Sequence, residues 1–293
     1  MYEHHDVLIV GAGISGISAA VHIQKALPGT DYLILEKREA IGGTWDLFRY
    51  PGVRSDSDMY TLGFDFKPWE HTRAIGDGAT IRSYLQEAAR EQGVDQHIRY
   101  GYGVESAEWD SNAARWTVTA RVADGEQVKL TANFLYFGAG YYSYENPYRP
   151  EFPGEQNFKG ELFHAQLWPE DLDYKDKRVV VIGSGATAVT LVPALAKQAA
   201  HVTMLQRSPS YVLSLPGEDA LANQLRKVLP KHVSYQITRG AHLLLTYGSW
   251  QFFRHQPERA AALLRKLQER QLPEDYPVDV HFKPRYKVWD ERL

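Results

Sequence analysis

Two short glycine-rich segments carry the clearest chemical signal in the sequence. Residues 11–16 read G-A-G-I-S-G and follow an apolar run, and residues 183–188 read G-S-G-A-T-A after a second apolar run. In this G-x-G-x-x-G/A pattern the first glycine allows a tight turn and the second lets the backbone approach a pyrophosphate. The third position lets a helix pack close to a strand, and the start of that helix offers N–H groups to phosphate. The sequence therefore predicts two dinucleotide sites.

The residues about twenty positions further on distinguish the two sites. Glu36 lies twenty residues after Gly16, where a carboxylate can accept hydrogen bonds from an unphosphorylated ribose. Arg207 lies nineteen residues after Ala188 and is followed by Ser208. A guanidinium suits a 2′-phosphate, which a carboxylate would repel. We therefore assign FAD to the first site and NADPH to the second, a pairing that implies hydride transfer from nicotinamide to flavin.

Each turn needs a strand–turn–helix–strand unit to position it. Apolar runs and helical spacing predict such a unit at 6–35, with its helix at 17–27, and another at 178–205, with its helix at 189–198. Between them we expect a helix at 80–92 and an antiparallel meander of strands at 104–109, 115–122, 127–130 and 133–137. Helices are predicted at 218–229, 232–254 and 257–270, and an extended ending at 278–293.

These elements predict an α/β fold with two Rossmann-like dinucleotide-binding domains, a β-meander and a helical insertion. We expect an FAD-binding domain at residues 1–148 and an interdomain linker at 149–175. An NADP-binding domain should follow at 176–293, with the helical insertion at about 218–272.

Composition excludes several functional classes. The net charge of the 293 residues is −3, so there is no basic surplus for nucleic acid, and there is no cysteine, which excludes a disulfide reductase with a redox-active cysteine pair. The longest apolar stretch, 241–253, is interrupted by polar residues and too short to span a bilayer. We expect a cytoplasmic protein without a transmembrane segment, and the stretch leaves peripheral membrane contact open.

Two longer motifs lie beside the nucleotide turns. Residues 158–169 fit the pattern F-x-G-x-x-x-H-x-x-x-W-P through Phe158, Gly160, His164 and Trp168. This segment resembles the fingerprint of type I Baeyer–Villiger flavin monooxygenases, and residues 42–56 resemble that family's second signature. The amino-acid sequences of residues 43–51 and 54–60 are similar to those of the ethionamide-activating branch of the FAD-containing monooxygenases.

The resemblance implies roles for individual residues. Those expected to line FAD are Gly11, Gly13, Ser15, Gly16, Glu36, Thr44, Trp45, Asp46, Leu47, Asp56 and Val104. Those expected to face NADP are Arg54, Ser55, Asp56, Gly183, Ser184, Gly185, Ala186, Thr187, Ala188, Val189, Arg207 and Ser208. Arg292 would be the active-site arginine, held by Asp56, and His164 would orient the linker rather than transfer protons.

The activity implied is that of an NADPH- and FAD-dependent monooxygenase. It would insert one oxygen atom from O₂ into a ketone, giving an ester or lactone, or add it to sulfur, through a flavin peroxide. Arg292 would stabilise the negative charge that develops on oxygen. Two alternatives stay open: a flavin-containing monooxygenase that oxygenates nitrogen or sulfur, and a non-catalytic FAD/NADP-binding fragment. Because members of the family continue well beyond the extended ending at 278–293, we expect a C-terminally truncated chain.

Overall fold

The structure is a computed structural model that describes residues 2–214 and 216–290. The strands are β1 Glu3–Val10, β2 Tyr32–Leu35, β3 Ile98–Arg99, β4 Tyr102–Asp110, β5 Arg115–Val122, β6 Gln127–Phe137, β7 Arg178–Ile182 and β8 His201–Leu205. The helices are α1 Ile14–Ala26, α2 Thr44–Leu47, α3 Met59–Leu62, α4 Gly78–Glu91, α5 Ala186–Leu195, α6 Ala220–Val228, α7 Lys231–His255, α8 Pro257–Glu269 and α9 Val278–His281. The mixed α/β architecture matches the predicted fold class.

Two compact units divide the chain. The first contains residues 1–49 and 78–168, and the second contains residues 50–77 and 169–293. Segment 50–77 therefore groups with the second unit, whereas the sequence-based boundaries placed it in an FAD-binding domain at 1–148. Gly52 explains this grouping, because it has φ +80° and a Cβ built there would lie 2.8 Å from the Cβ of Ala194 in α5. The segment is thus packed tightly against α5.

The first unit is built on a six-stranded sheet with the order β3-β2-β1-β6-β5-β4. Strand β1 is parallel to both β2 and β6, and β5 is antiparallel to its two neighbours, β4 and β6. Leu8, Ile9, Ile34 and Leu35 are at most 1% exposed. This burial explains why β1 and β2 read as continuous apolar runs, as expected of central parallel strands covered on both faces.

The meander differs from its prediction at its last strand. Residues 127–137 form the single strand β6 instead of two short strands, and its partner changes along its length. Residues 127–132 pair antiparallel with β5 and residues 130–137 pair parallel with β1, so the middle of the strand pairs with both. Thr131 and Ala132, which lie between the two predicted strands, stay in β6 because they pair with both β1 and β5. The meander is therefore continuous with the nucleotide-binding sheet.

The second unit contains a two-stranded parallel sheet, β7 and β8, in register from Arg178 opposite His201 to Ile182 opposite Leu205. Alternate side chains of this sheet are exposed, and Val180, Ile182 and Leu205 each exceed 50% exposure. The extended ending predicted at 278–293 is wrong at its start, because residues 278–281 form α9. Within the ranges that the structure describes, no helix is long and apolar enough to cross a membrane.

Candidate nucleotide-binding sites

The first glycine turn connects β1 to α1 and is tightly packed at two of its three glycines. Gly11 has φ +98°, and a Cβ there would lie 2.7 Å from the Gly138 carbonyl oxygen. A Cβ on Gly16 would lie 1.9 Å from the Gly11 oxygen. Gly13 differs, since its φ is −81° and a Cβ there would meet only the Gly43 Cα at 3.8 Å. The fold requires glycine at the first and third positions and leaves open space at the second.

Gly13 is also the N-cap of α1, and no side chain caps this end of the helix. Helix α1 begins at Ile14, three residues before the predicted start at 17. The first-turn N–H groups of a helix have no partner within the helix, so they can donate to a phosphate. The open space at Gly13 and the uncapped helix therefore coincide, as a pyrophosphate site requires.

Glu36 follows β2 and holds the turn in place. Its side chain is 2% exposed, and Oε2 accepts from the Ala12 N–H at 2.7 Å while Oε1 accepts from the Arg38 N–H at 2.9 Å. Its carbonyl oxygen accepts from the Tyr102 N–H at 2.9 Å. A carboxylate has about four lone-pair sites, so Glu36 can still accept hydrogen bonds from ribose hydroxyls. The expected ribose ligand is thus also a structural tie between β2, the turn and β4.

The loop before α2 lies directly against the first turn. The Gly42 N–H donates to the Ala12 carbonyl oxygen at 3.2 Å, which brings Thr44 and the rest of α2 beside the turn. Val104 belongs to β4 and lies two residues beyond Tyr102. The pairing of β4 with β5 shifts register between Val104 and Ser106, a bulge of the kind that redirects backbone groups. The structure thus gathers the FAD residues predicted for the first unit.

Asp46 in α2 has a role that sequence reasoning missed. It is 4% exposed and pairs with Arg38 at 2.6 Å, Arg49 at 3.2 Å and Arg82 at 3.2 Å. Burial raises the pKa of Asp46, but hydrogen bonds from Arg38 and Arg82 and the charges of Arg38 and Arg49 outweigh burial, so its pKa lies below the ordinary value. Asp46 therefore anchors α2 as an ionised carboxylate surrounded by arginines.

The second glycine turn connects β7 to α5 and is far less crowded. Gly183 has φ +127°, and a Cβ built on Gly183 or Gly185 meets nothing within 4 Å. Gly185 is the N-cap of α5 with no side-chain cap, so helix α5 begins at Ala186, three residues before the predicted start at 189. The hydroxyl of Ser184 lies 3.0 Å from Ser210 Oγ, a residue not predicted from the sequence. Open backbone N–H groups again face free space.

Arg207 and Ser208 lie just beyond the end of β8 and are exposed. No carboxylate of the described part of the chain pairs with Arg207. In segment 50–77, Arg54 and Asp56 are exposed. Ser55 is only 3% exposed, and its hydroxyl donates a hydrogen bond to the Ser57 carbonyl oxygen at 2.7 Å. Ser55 thus shapes this loop, and Arg207 is a cation available to a ligand. Arg292 lies outside the described residues.

The linker fingerprint forms a packed turn. A Cβ on Gly160 would lie 2.8 Å from the Phe158 ring, and Trp168 stacks edge-to-face on Phe163 with ring centres 5.3 Å apart. His164 caps the short 3₁₀ helix Ala165–Leu167, its Nδ1 accepting from the Gln166 N–H at 3.1 Å. Burial lowers the pKa of His164, which favours the neutral ring that this acceptor role needs. These side chains shape the linker.

Comparisons with known proteins place the chain among flavin enzymes. The family model described as flavin-binding monooxygenase-like matches residues 4–229. The FAD-containing monooxygenase EthA of Mycolicibacterium smegmatis is 53% identical over 294 residues, which cover 100% of this chain and 60% of that protein. EthA of Mycobacterium tuberculosis is 52% identical with the same coverage. The chain therefore spans about 60% of the length of these relatives.

Solved structures give the same grouping. An oxidised steroid monooxygenase bound to NADP matches with a TM-score of 0.66 and 32% identity over 80% of this chain and 43% of that chain. An open crystal structure of cyclohexanone monooxygenase matches with a TM-score of 0.69 and 27% identity over 80% of this chain and 45% of that chain. Because the family model covers most of the residues and the structures agree with it, this chain belongs to the flavin-binding monooxygenase-like family.

Proposed function

We propose that this chain binds FAD and NADPH and belongs to a monooxygenase that adds one oxygen atom of O₂ to a ketone or to a sulfur-containing substrate. The observation that carries this proposal is the pair of uncapped glycine turns, one followed by the buried carboxylate Glu36 and the other by the exposed Arg207. The relatives named FAD-containing monooxygenases and the NADP-bound steroid monooxygenase support the same two cofactors.

The residues of the chain have separate tasks in this function. The N–H groups at the start of α1 would hold the FAD pyrophosphate, and Glu36 would accept from its ribose. The start of α5 and Arg207 would hold NADPH by its pyrophosphate and 2′-phosphate. When bound, NADPH supplies a hydride, and FAD accepts it and activates oxygen. Arg292, in the role that the family resemblance implies, would stabilise negative charge on the substrate oxygen as the carbonyl is attacked.

Two glycine substitutions test the cofactor assignment. Gly13→Ala and Gly185→Ala are compatible with the fold, because both residues have φ −81° and ample space for a Cβ. We expect Gly13→Ala to lose the flavin absorbance that the wild-type chain retains after dialysis, and Gly185→Ala to keep flavin but lose its reduction by NADPH. Unchanged thermal midpoints would show that both variants fold. Wild-type chain that retains no flavin, or variants that keep both cofactors, would refute the proposal.

Product analysis tests the reaction class. The FAD-loaded chain, supplied with NADPH and O₂, should convert a simple ketone to its ester or a sulfide to its sulfoxide. Arg292→Ala should abolish ester formation while leaving flavin binding and reduction by NADPH intact, and Arg285→Ala serves as a nearby control. Ester formation at the wild-type rate in Arg292→Ala would refute the role of Arg292. An amine oxide as the principal product would instead favour a nitrogen-oxygenating enzyme.

A further inference from the structure

Helix α7 exposes apolar side chains all around its middle section. Residues 243–248 read L-L-L-T-Y-G, and all six are exposed. Six consecutive residues cover about 1.7 turns of a helix, so every side of this stretch faces solvent. Leu244, Leu245 and Tyr247 are 73%, 70% and 61% exposed. A surface helix ordinarily exposes polar residues, and a continuous exposed apolar patch marks an interaction surface.

The exposed apolar surface continues toward the start of α7. Val233 and Ile237 are 44% and 48% exposed, and Leu244 follows Ile237 by seven residues. Spacings of four and seven residues place these three side chains on one face of the helix. The buried residues of the helix, which lie on its other face, are Ser234, Tyr235, Thr238 and Phe253. Helix α7 therefore has an apolar face directed to solvent in addition to its buried face.

Positive charge accompanies this apolar face. From the start of α6 to the end of α8, residues 220–269 contain eight Lys and Arg and two Glu, a net charge of +6 in a chain whose net charge is −3. Helix α7 itself contains neither Asp nor Glu. The exposed cations of the three helices are Lys227, Lys231, Arg254, Arg259, Arg265 and Lys266. These helices therefore form a basic surface on an otherwise acidic chain.

Aromatic rings and a cation flank the apolar face in the C-terminal half of α7. Tyr247 and Trp250 stack with ring centres 6.3 Å apart, and the guanidinium carbon of Arg254 lies 5.1 Å from the centre of the Trp250 ring. Residues three and four apart are neighbours on a helix, so these side chains form one row that continues from Leu244. Tyr and Trp rings favour the interface between membrane and water, and Arg binds phosphate groups.

Charge distinguishes between the occupants that could cover this face. A symmetric contact between two copies would bring together two α7 helices that carry cations and no carboxylate, so the copies would repel each other. An anionic bilayer attracts the same cations, and it accepts apolar side chains without a shaped pocket. A helix with exposed Leu and Trp beside Lys and Arg is typical of proteins that lie on a membrane surface.

We propose that α6, α7 and α8 bind the surface of a membrane that contains anionic lipids. Val233, Ile237 and Leu244 enter the boundary between headgroups and acyl chains, and the row of Tyr247, Trp250 and Arg254 lies at the level of the headgroups. The helices lie in the plane of the interface and do not cross the bilayer. This surface includes neither glycine turn, so its binding can be tested without FAD or NADPH.

Co-sedimentation of the 293-residue chain with vesicles tests the proposal. The vesicles contain phosphatidylcholine alone or mixed with phosphatidylglycerol. We expect the mixed vesicles to bind at least about tenfold more tightly, because they attract the cations of the three helices. Ile237→Gln with Leu244→Gln should weaken this binding by about tenfold or more, because both side chains lose their apolar transfer to lipid.

Matched pairs of exposed residues provide the controls. Leu27 and Leu167 are 58% and 50% exposed, and Leu27→Gln with Leu167→Gln should bind mixed vesicles as the wild-type chain does. Arg254→Gln with Arg259→Gln should weaken binding by about fivefold or more. Its control is Arg115→Gln with Lys129→Gln, two exposed cations of the first unit, which should leave binding unchanged.

A single label can locate the contact, because the chain contains no cysteine. Leu244→Cys carrying a polarity-sensitive dye should shift its emission to shorter wavelength when mixed vesicles are added. The same dye on Leu27→Cys should show no shift. A shift of equal size at both positions would mean that the chain binds lipid without using α7, which would overturn the proposal.

Other outcomes would overturn the proposal as well. These are absence of binding to mixed vesicles, equal binding to phosphatidylcholine alone, and wild-type binding by Ile237→Gln with Leu244→Gln. Sedimentation velocity might show a wild-type dimer that this variant makes monomeric, and without vesicle binding that result would assign the face to a second copy. The substituted side chains are exposed, so thermal midpoints should stay unchanged. The arginine variant gives a second readout if the apolar variant does not fold.

Discussion

Arg207 is the residue that should decide which nicotinamide cofactor is accepted. It is exposed and has no carboxylate partner among the described residues, so its charge is available to a 2′-phosphate. A hydrogen bond to a charged group is worth about 1.5–3 kcal/mol, or about ten- to a hundredfold in affinity. Arg207→Ala should therefore weaken NADPH by this factor and NADH little, as measured by titration of both cofactors. Arg178→Ala on β7 is the control, and equal losses for NADPH and NADH would contradict a 2′-phosphate role.

His164 should make the stability of the linker depend on pH. Burial lowers its pKa in the folded chain, so the fold favours the neutral ring. The stability that the neutral His164 ring provides is fully present above the ordinary histidine pKa of about 6.5. It is lost as the pH falls through the lowered pKa of His164 in the folded chain. Lowering the pH from about 7.5 to about 5.5 should therefore reduce the thermal midpoint of the wild-type chain.

His164→Asn should lose less of its thermal midpoint over that pH range, because asparagine also caps a helix start and does not titrate. The exposed His232→Asn is the matched control and should behave as the wild-type chain does. The same pH dependence in His164→Asn as in the wild-type chain would assign it to other groups.

The roles of some site residues can be predicted from the sequence, and the roles of others cannot. Gly11, Gly16 and Glu36 are predictable because their spacing within one strand–turn–helix unit is fixed by local geometry. The partners of Asp46 are not, because Arg38, Arg49 and Arg82 come together only when α2 packs beside α4. Tyr60 in α3 and Ser234 in α7 are likewise brought to the lining of one cavity only by tertiary packing. Contacts between distant segments leave no periodic signal.

At the scale of elements, Asp46 should hold α2 beside β2 and α4. Asp46→Asn leaves three arginines without their shared carboxylate, and breaking a buried ion pair costs about 3 kcal/mol. Because the pKa of Asp46 is lowered in the folded chain, the stabilisation by its ion pairs is present above the ordinary aspartate pKa of about 3.9. It is lost as the pH falls through the pKa of Asp46 in the folded chain. Urea unfolding at neutral pH should show the loss, and Asp46→Asn should be less sensitive to acid than the wild-type chain.

An exposed ion pair provides the control for this prediction. Glu105 pairs with Arg121 at 2.5 Å, but the two side chains are 37% and 48% exposed. Glu105→Gln should therefore destabilise the chain much less than Asp46→Asn does, because solvent screens an exposed ion pair. Similar losses for the two variants would mean that burial does not strengthen the Asp46 cluster.

Element boundaries could be predicted where the apolar pattern itself begins or ends. Helix α8 starts at Pro257 as predicted, because proline at the first helical position is a local signal. Helices α1 and α5 start three residues early, since their first turns are built from the nucleotide motif and carry no apolar periodicity. Strand β6 was predicted as two strands, 127–130 and 133–137, and only its pairing with β1 and β5 reveals one strand.

For the whole molecule, the two sheets should differ in stability. The first unit has six strands, whereas β7 and β8 form a pair whose exposed residues include Val180 and Leu205. An isolated pair of strands is marginal in water, and hydrogen exchange follows local stability. We expect amides of β1 and β6 to exchange more slowly than those of β7 and β8, as measured by mass spectrometry of peptides. Equal protection in both sheets would contradict this ranking.

The division of the chain also sets an order of events during synthesis. Residues 50–77 are made early but pack with residues 169–293, and the 91 residues of 78–168 are made between them. At about 5–20 residues per second this interval lasts roughly 5–20 s. During that time Met59, Tyr60 and Trp69, each at most 2% exposed in the final structure, are on the nascent chain without most of their eventual packing partners. We therefore expect a ribosome-associated chaperone to bind segment 50–77 while residues 78–168 are made.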